Sequence, residues 1–147
     1  MDQNTDLIEL LAAFNTAGVE YVLVGAYAFA FHGRPRYTKD ADIFVRPTPL
    51  NAAKVWKALQ SFGAPLDGVL ESDFAQPDTF FLMGRAPNQI DIITEIDGVT
   101  FEEAWLSRVA STYAGVPVHY IGREQLIANK RAAGRPQDLA DVAYLEQ

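Results

Sequence analysis

The sequence contains no cysteine and only two histidines among its 147 residues. Disulfide bonds and thiolate metal sites are therefore excluded, and the ligands that zinc sites use are scarce. A metal-dependent phosphohydrolase that relies on histidine ligands is disfavoured for the same reason. Any metal site in this chain has to be built from oxygen ligands.

Long hydrophobic runs are also absent. The longest apolar run, residues 21–31, is about half of the roughly 20 residues that a membrane-spanning helix needs. The first residues, MDQNTDLIELL, show no basic segment followed by an apolar one, so they do not predict a signal peptide. We therefore expect a soluble cytoplasmic protein that does not bind membranes.

Positive charge is scarce, because 12 Lys and Arg residues stand against 19 Asp and Glu residues and give a net charge of −7. This balance argues against a general nucleic-acid-binding protein, which needs a basic surface. Eight of the 12 basic residues nevertheless lie in two short stretches, residues 34–46 and 123–135. The two stretches would form a small anion site if the fold brought them together; the alternative is a solvated charged face.

Strand and helix patterns alternate along the chain. Length and composition suit one domain over residues 1–147, with 49% hydrophobic residues to form its core. The strand patterns are residues 20–24, residues 41–45, a pair of strands at 78–84 and 89–96, and a further strand or hairpin over 111–121. The helical patterns are residues 7–14, 26–33, 48–62, 123–133 and 137–146. This order predicts an α/β or α+β protein with a mixed sheet flanked by helices.

Acidic residues stand at the start of two of the predicted strands. In "DADIFV", Asp40 and Asp42 are two positions apart, so their side chains point to the same face, with Cα atoms roughly 6.6 Å apart. Asp91, in "NQIDIITEI", has a similar apolar setting. Two like charges on one face repel each other unless water or a cation lies between them. Three such carboxylates would suit Mg²⁺ or Mn²⁺; taken alone, Asp91 could equally be a strand-end acid or the partner of an arginine.

A possible phosphate site precedes the acidic pair. The segment "VLVGAYAFAFHG" predicts a strand, a glycine turn and a helix, so the amides of Gly25, Ala26 and Tyr27 would open a helix N-terminus. Free N–H groups and the positive end of the helix dipole make such an end suitable for an anion. A single glycine after a strand is weak evidence, because it more often marks a tight turn, but the adjacent acidic pair strengthens it.

The segment "VGAYAFAFHGRPRYTKDADIFV" resembles the active-site signature of the DNA polymerase β-like nucleotidyltransferase superfamily. That signature is a glycine pair or glycine–serine after a strand, a short helix, a D-x-D motif on the next strand and a third acid further on. The closer resemblance is to a small bacterial branch related to AbiEii-type toxin proteins. His32, Gly33, Arg36 and Thr38 match this branch, and "LIANKRAAGRPQDLADV" places Lys130 at its recurring lysine.

The resemblance implies a nucleotidyltransferase fold and a role for each matching residue. A nucleoside triphosphate would bind at Gly25 and Ala26, with Mg²⁺ or Mn²⁺ held by the catalytic acids Asp40, Asp42 and Asp91. Thr38 would orient an acid or cap the strand. Arg36 and Lys130 would neutralise charge on the pyrophosphate, although each could also be a surface cation. We expect both histidines, His32 and His119, to be structural.

One position departs from the family pattern, because Ala26 stands where glycine or serine is usual. Its backbone N–H remains, but a serine hydroxyl contact to phosphate is lost. The larger members carry an additional acceptor-binding domain, so here the acceptor would bind to the core, a second copy in a homodimer, or a protein partner. Two hypotheses follow: a metal-dependent nucleotidyltransferase, or a catalytically weak binding module that acts through a partner, as in a toxin–antitoxin pair.

Overall fold

The computed structural model describes residues 4–147 and contains six α-helices and six strands in this part of the chain. The helices are α1 Thr5–Ala17, α2 Gly25–His32, α3 Pro49–Phe62, α4 Phe101–Leu106, α5 Arg123–Ala133 and α6 Pro136–Leu145. The strands are β1 Tyr21–Val24, β2 Asp40–Val45, β3 Phe80–Met83, β4 Gln89–Ile93, β5 Val109–Tyr113 and β6 Val116–Tyr120. Within residues 4–147, no helix combines the length and hydrophobicity that a membrane crossing requires.

The six strands form one mixed sheet in the order β3-β4-β2-β1-β6-β5. The central strand β1 is antiparallel to β2 and parallel to β6, and β2 is parallel to β4. The outer pairs β3–β4 and β5–β6 are antiparallel. The prediction of a mixed sheet flanked by helices is confirmed, and so is the pairing of the strands at 78–84 and 89–96. Of the two alternatives for residues 111–121, the structure has the hairpin, formed by β5 and β6.

The core forms around β1 and β2, where neighbouring apolar side chains pack against each other. All four residues of β1 are buried, and so are Ala41 and residues 43–45 of β2. Helix α1 packs on α3, α5 packs on α6, and α2 contacts β1, β2 and α5. The buried middle of the sheet therefore fixes the position of the end of β1 and of the start of β2, where Asp40 and Asp42 lie.

Helix ends follow the local sequence signals. Thr48 accepts a hydrogen bond from the Asn51 N–H and Pro49 begins α3, which ends at Gly63 in the left-handed conformation. The sequence patterns did not predict α4, although Thr100 and Glu103 form a capping box at its start. Helix α4 has only six residues, so its apolar periodicity is too short to stand out.

Candidate active site

The sheet register brings the three predicted acids together. Asp42 lies opposite Val24 of β1 and, on its other side, opposite Asp91 of β4. Because β2 and β4 are parallel and in this register, the two side chains occupy the same face of the sheet. One carboxylate oxygen from each of Asp40, Asp42 and Asp91 lies within 4.8 Å of the others.

Neighbouring polar side chains orient two of these acids. Asp91 is 3% exposed and its Oδ1 accepts a hydrogen bond of 2.9 Å from the Gln89 side chain. The Thr38 hydroxyl donates to the backbone carbonyl of Asp40 at 2.9 Å, which fixes the start of β2. Within residues 4–147, no lysine or arginine forms an ion pair with any of the three acids.

The arrangement is electrostatically unfavourable for Asp42. Burial, together with the negative charges of Asp40 and Asp91, raises the pKa of Asp42 to about 7. The positive charge of Arg135, the residue before α6, only partly opposes this rise. A bound cation would therefore stabilise the ionised form of the Asp42 carboxyl group near neutral pH.

The donor set fits a hard divalent cation. All three ligands are carboxylates and their oxygens lie close together, and burial together with the charges of the other two raises the pKa of Asp42. Mg²⁺ and Mn²⁺ prefer oxygen ligands, and Mg²⁺ binds through few protein carboxylates together with substrate phosphates. Asp40, Asp42 and Asp91 could therefore hold such an ion.

Gly25 joins β1 to α2 directly beside this cluster. It adopts the left-handed conformation, with φ +64°, and a Cβ at this position would lie 2.3 Å from Asp42 Oδ2. Among the described residues, no side chain caps the N-terminus of α2, so the amides that follow Gly25 remain open to an anion. Glycine is therefore required at this position by backbone conformation and by the close approach of Asp42.

We expect Gly25→Ala to destabilise the protein and to weaken triphosphate binding. The substitution combines left-handed strain of about 1–2 kcal/mol with displacement of the Asp42 carboxylate. Gly18→Ala is the matched control, because Gly18 has φ +76° with nothing within 4 Å of where a Cβ would lie, and so carries the strain alone. Urea unfolding and magnesium–triphosphate titration of both variants measure the difference. Equal destabilisation with unchanged binding would mean that Asp42 is not tightly placed against Gly25.

The fold brings one residue from each basic stretch together, and both contact the same acid, Asp141. Arg36 donates to Asp141 Oδ2 at 2.9 Å, and Lys130 Nζ lies 2.8 Å from the same oxygen. Lys130 is 6% exposed and Asp141 is 2% exposed. Arg36 also lies over the ring of Phe29, 4.0 Å from its centroid. The sequence did not predict this role for Asp141. The pattern of residues within α6 does not show which basic residues from other parts of the chain will contact this acid.

Four of the six remaining basic residues of the two stretches form other ion pairs. Arg46 pairs with Glu20 and Glu102, Arg123 with Glu124, and Arg131 with Glu146, whereas Arg135 pairs with Asp138 in the first turn of α6. Arg34 lies over the ring of Tyr144, 4.5 Å from its centroid. Of the predicted anion site, the fold therefore joins Arg36 and Lys130, with Arg135 close enough to Asp42 to affect its pKa. Arg46 lies at the other end of β2.

The two histidines lie away from the acids. His32, at the end of α2, is hydrogen-bonded through Nε2 to the Ile121 carbonyl at 2.6 Å. His119 packs against Tyr21 and Trp105, and burial lowers its pKa. Both positions agree with the structural roles expected from the sequence.

Comparisons with known proteins identify the fold. Neither a family model nor a curated protein sequence matches the chain. A crystal structure of ANT(2″)-Ia with adenylyl-2″-tobramycin matches with a TM-score of 0.64 and 16% identity, over 97% of this chain and 87% of that one. The lincomycin-bound lincosamide antibiotic adenylyltransferase LnuA matches with a TM-score of 0.58 and 15% identity, over 99% and 97%.

The chain has a nucleotidyltransferase fold. At this level of identity the similarity establishes the architecture, a six-stranded mixed sheet flanked by helices, over nearly the whole described chain. It agrees with the fold that the signature around Asp40 and Asp42 predicts. The AbiEii-related branch receives no support of its own from these comparisons.

Proposed function

We propose that this protein is a metal-dependent nucleotidyltransferase that transfers a nucleoside monophosphate from a nucleoside triphosphate to an acceptor hydroxyl. The observation that carries the proposal is the convergence of Asp40, Asp42 and Asp91 beside an open helix N-terminus. Neither feature alone specifies the reaction, but together they offer a place for a phosphate chain next to a cation site. The two adenylyltransferases of the same fold add support and make ATP the first triphosphate to test.

Each part of the site has a chemical task in this proposal. The amides of Gly25 and Ala26 bind the β- and γ-phosphates, and Asp91 helps to activate the acceptor hydroxyl, as a ligand of the cation or as the base that accepts its proton. The acceptor oxygen forms a bond to the α-phosphorus while the bond from that phosphorus to the bridging oxygen of pyrophosphate breaks. A divalent cation held by Asp40, Asp42 and Asp91 would supply charge neutralisation at the phosphates.

Arg36 and Lys130 would act as a region of positive charge for the departing pyrophosphate. Asp141 cancels one of their two charges, so the trio keeps a net charge of about +1. Such a cluster attracts an anion without the cost of two unpaired buried cations. Thr38 would hold Asp40 in place through its hydrogen bond to the Asp40 carbonyl.

We further propose that residues 1–147 form a single minimal domain of the AbiEii-related branch, acting in the cytoplasm. The resemblance around residues 24–45 and 126–142 supports this assignment. The acceptor would be a protein, an RNA or a small molecule, and it would bind to this domain, a second copy or a protein partner. One structural neighbour holds adenylyl-2″-tobramycin and the other lincomycin, so small hydroxyl compounds belong among the acceptors tested.

A second candidate function is a binding module that keeps the fold but transfers nucleotide weakly or not at all, and acts through a partner. The specific observation in its favour is Ala26, which cannot offer the hydroxyl usual at this position. The three converging carboxylates favour the enzyme instead. Incubation of the protein with each α-labelled triphosphate and Mg²⁺, with cell extract as the source of acceptor, separates the two. Triphosphate binding without any labelled product would favour the binding module.

We expect Ala26→Ser to preserve triphosphate binding or to tighten it. The side chain would add a hydroxyl beside the proposed phosphate position, and a hydrogen bond to a charged group contributes about 1.5–3 kcal/mol at best. Ala13→Ser in α1 is the control for introducing serine into a helix. Calorimetric titration with ATP and Mg²⁺ measures the change. Binding ten times weaker in the Ala26→Ser variant would place the phosphates elsewhere.

A further inference from the structure

A cavity of about 630 Å³ lies beside the first turn of α2. Its walls come from α2, the loop before β2, the turn before β4 and the β5–β6 hairpin. Five aromatic side chains line it: Tyr27, Phe31, Tyr37, Tyr113 and Tyr120. Of the acids and basic residues given roles above, only Arg36 lines this cavity.

The aromatic side chains of the cavity wall contact one another in pairs. Phe31 stacks on Tyr120 with ring centroids 4.2 Å apart and planes 3° from parallel. Tyr27 meets Tyr113 edge-on at 5.5 Å. Tyr37 is 68% exposed and Phe31 is 39% exposed, so both have surface left for a further ring. Offset or edge contacts with a flat ligand ring are favourable in this geometry.

Asn4 adds a polar group to the cavity wall. Its Oδ1 accepts the Leu7 N–H at 3.0 Å and caps α1, but its Nδ2 has no hydrogen-bond partner among the described residues. The same amide lies near the Tyr27 hydroxyl and opposes the rise in the Tyr27 pKa that burial causes, without the geometry of a hydrogen bond. Asn4 is 5% exposed, so this donor lacks both protein and open solvent as a partner. A ligand with a hydrogen-bond acceptor would satisfy it.

The cavity wall carries little charge. Arg36 is its one charged lining residue among those described, and its guanidinium is already bound to Asp141. Within the described part of the chain no carboxylate lines the cavity, so a polycationic ligand would find no counter-charge there. The chemistry therefore fits an uncharged flat ring with at least one acceptor atom.

The cavity lies beside the proposed phosphate site and not beside the acid that faces the acceptor. Ala26, which begins the proposed phosphate site, lines it, as does Thr38. Asp91, which the acceptor hydroxyl must reach, does not line it, and neither does Asp40 or Asp42. A ring in the cavity is thus contiguous with the phosphate side of the site.

We propose that this cavity binds the base of the nucleoside triphosphate, with the base against Tyr37 and Phe31 and an acceptor atom of the base toward Asn4 Nδ2. The inference rests on the proposed function, because it takes the phosphates to lie at Gly25 and Ala26. Every base offers a flat face and an acceptor atom, so these contacts alone do not select one base.

Calorimetric titration of the purified full-length chain in Mg²⁺ with ATP, GTP, CTP, UTP and inorganic triphosphate tests this proposal. We expect the wild type to bind at least one nucleoside triphosphate more tightly than inorganic triphosphate. Tyr37→Ala and Phe31→Ala should each weaken binding of that nucleotide about tenfold, in line with the loss of one stacking contact. Inorganic triphosphate should bind to both variants as it does to the wild type.

Matched variants separate the cavity from general effects on the fold. Asn4→Ser keeps an oxygen to cap α1 but removes the amide donor, and should weaken nucleotide binding severalfold. Phe80→Ala removes a ring that is 62% exposed and does not line the cavity, and should change nothing. Thermal melting by circular dichroism of each variant reports whether the fold is intact.

The outcomes that overturn the proposal are distinct from failure of the proposed function. Equal wild-type affinity for nucleotides and inorganic triphosphate would mean that the base makes no contact, which overturns the base site but leaves the phosphate site. Unchanged nucleotide binding in all three cavity variants would place the base elsewhere. Failure of the wild type to bind either nucleotides or inorganic triphosphate would overturn both proposals together.

Discussion

Asp42→Asn is expected to abolish nucleotide transfer while leaving the fold intact. The substitution removes a charge with almost no change in volume, at the one acid that faces both Gly25 and Asp91. Loss of this carboxylate from the proposed cation site should lower the rate by at least about a hundredfold. Transfer of labelled nucleotide measures the change, with Glu95→Gln, an exposed acid beyond the end of β4, as the control. Activity within a few-fold of the wild type would remove Asp42 from the catalytic site.

The same variant should be more stable than the wild type when no metal is present. Burial and two neighbouring negative charges raise the pKa of Asp42 to about 7, above the 3.8 of a free aspartate. Between these values the folded state holds more protons than the unfolded state, so the free energy of unfolding falls as the pH rises from about 4 to about 7. Asparagine removes this dependence, because it carries no charge at any pH.

Thermal melting in chelator at pH 5 and at pH 8 tests this linkage. The wild type should lose stability between the two values, whereas Asp42→Asn should lose much less and should melt about 3–8 °C higher at pH 8. Magnesium with a triphosphate should raise the melting temperature of the wild type and leave the variant nearly unchanged. A variant that melts clearly lower than the wild type in chelator would show that a structural partner holds Asp42, and a wild type indifferent to magnesium would oppose the metal site.

Asp141→Asn is expected to cause the largest loss of stability among these substitutions. Burial alone would raise the pKa of Asp141, but hydrogen bonds from Arg36, Lys130 and Gln137 hold it below its usual range. The amide would leave the buried Lys130 with only a distant contact to Asp138, at 3.8 Å. Removing one partner of a buried ion pair costs about 3–5 kcal/mol, because the other charge remains buried.

Urea unfolding of Asp141→Asn and of Glu146→Gln provides the comparison. Glu146 pairs with Arg131 at the surface, where both side chains are about half exposed, so its loss should cost about 1 kcal/mol or less. Since the pKa of Asp141 is lowered on folding, its stabilisation should be present above about pH 4 and disappear as the pH falls further. Equal effects of the two substitutions would mean that water enters the Asp141 cluster and screens it.

The sequence predicts the strands and the acids well because both depend on local patterns. Alternation along "DADIFV" sets Asp40 and Asp42 on one face, and the apolar residues around Asp91 mark a second buried strand. Thr48 and Gly63 mark the ends of α3 in the same way. These features need only residues a few positions apart, and in the structure the three acids meet at one end of the paired strands.

The features that the sequence did not predict depend on distant residues. Arg36 and Asp141 are 105 positions apart, and their pairing follows from how α6 packs, not from either local pattern. The cavity needs the β5–β6 hairpin to approach α2, and the free amide of Asn4 is evident only once its neighbours are in place. Helix α4 was missed because six residues are too few to show a period.

The parallel register of β2 and β4 has a consequence for the evolution of the chain. Asp42 and Asp91 are neighbours through strand pairing, while residues 46–88 run between the two strands through α3, a short 3₁₀ turn and β3. Insertions or deletions in the loops of this connecting segment would leave the two carboxylates in place. Distant homologues could therefore differ widely in the spacing between the D-x-D pair and the third acid. Homology searches that align strands rather than count residues should recover them more completely.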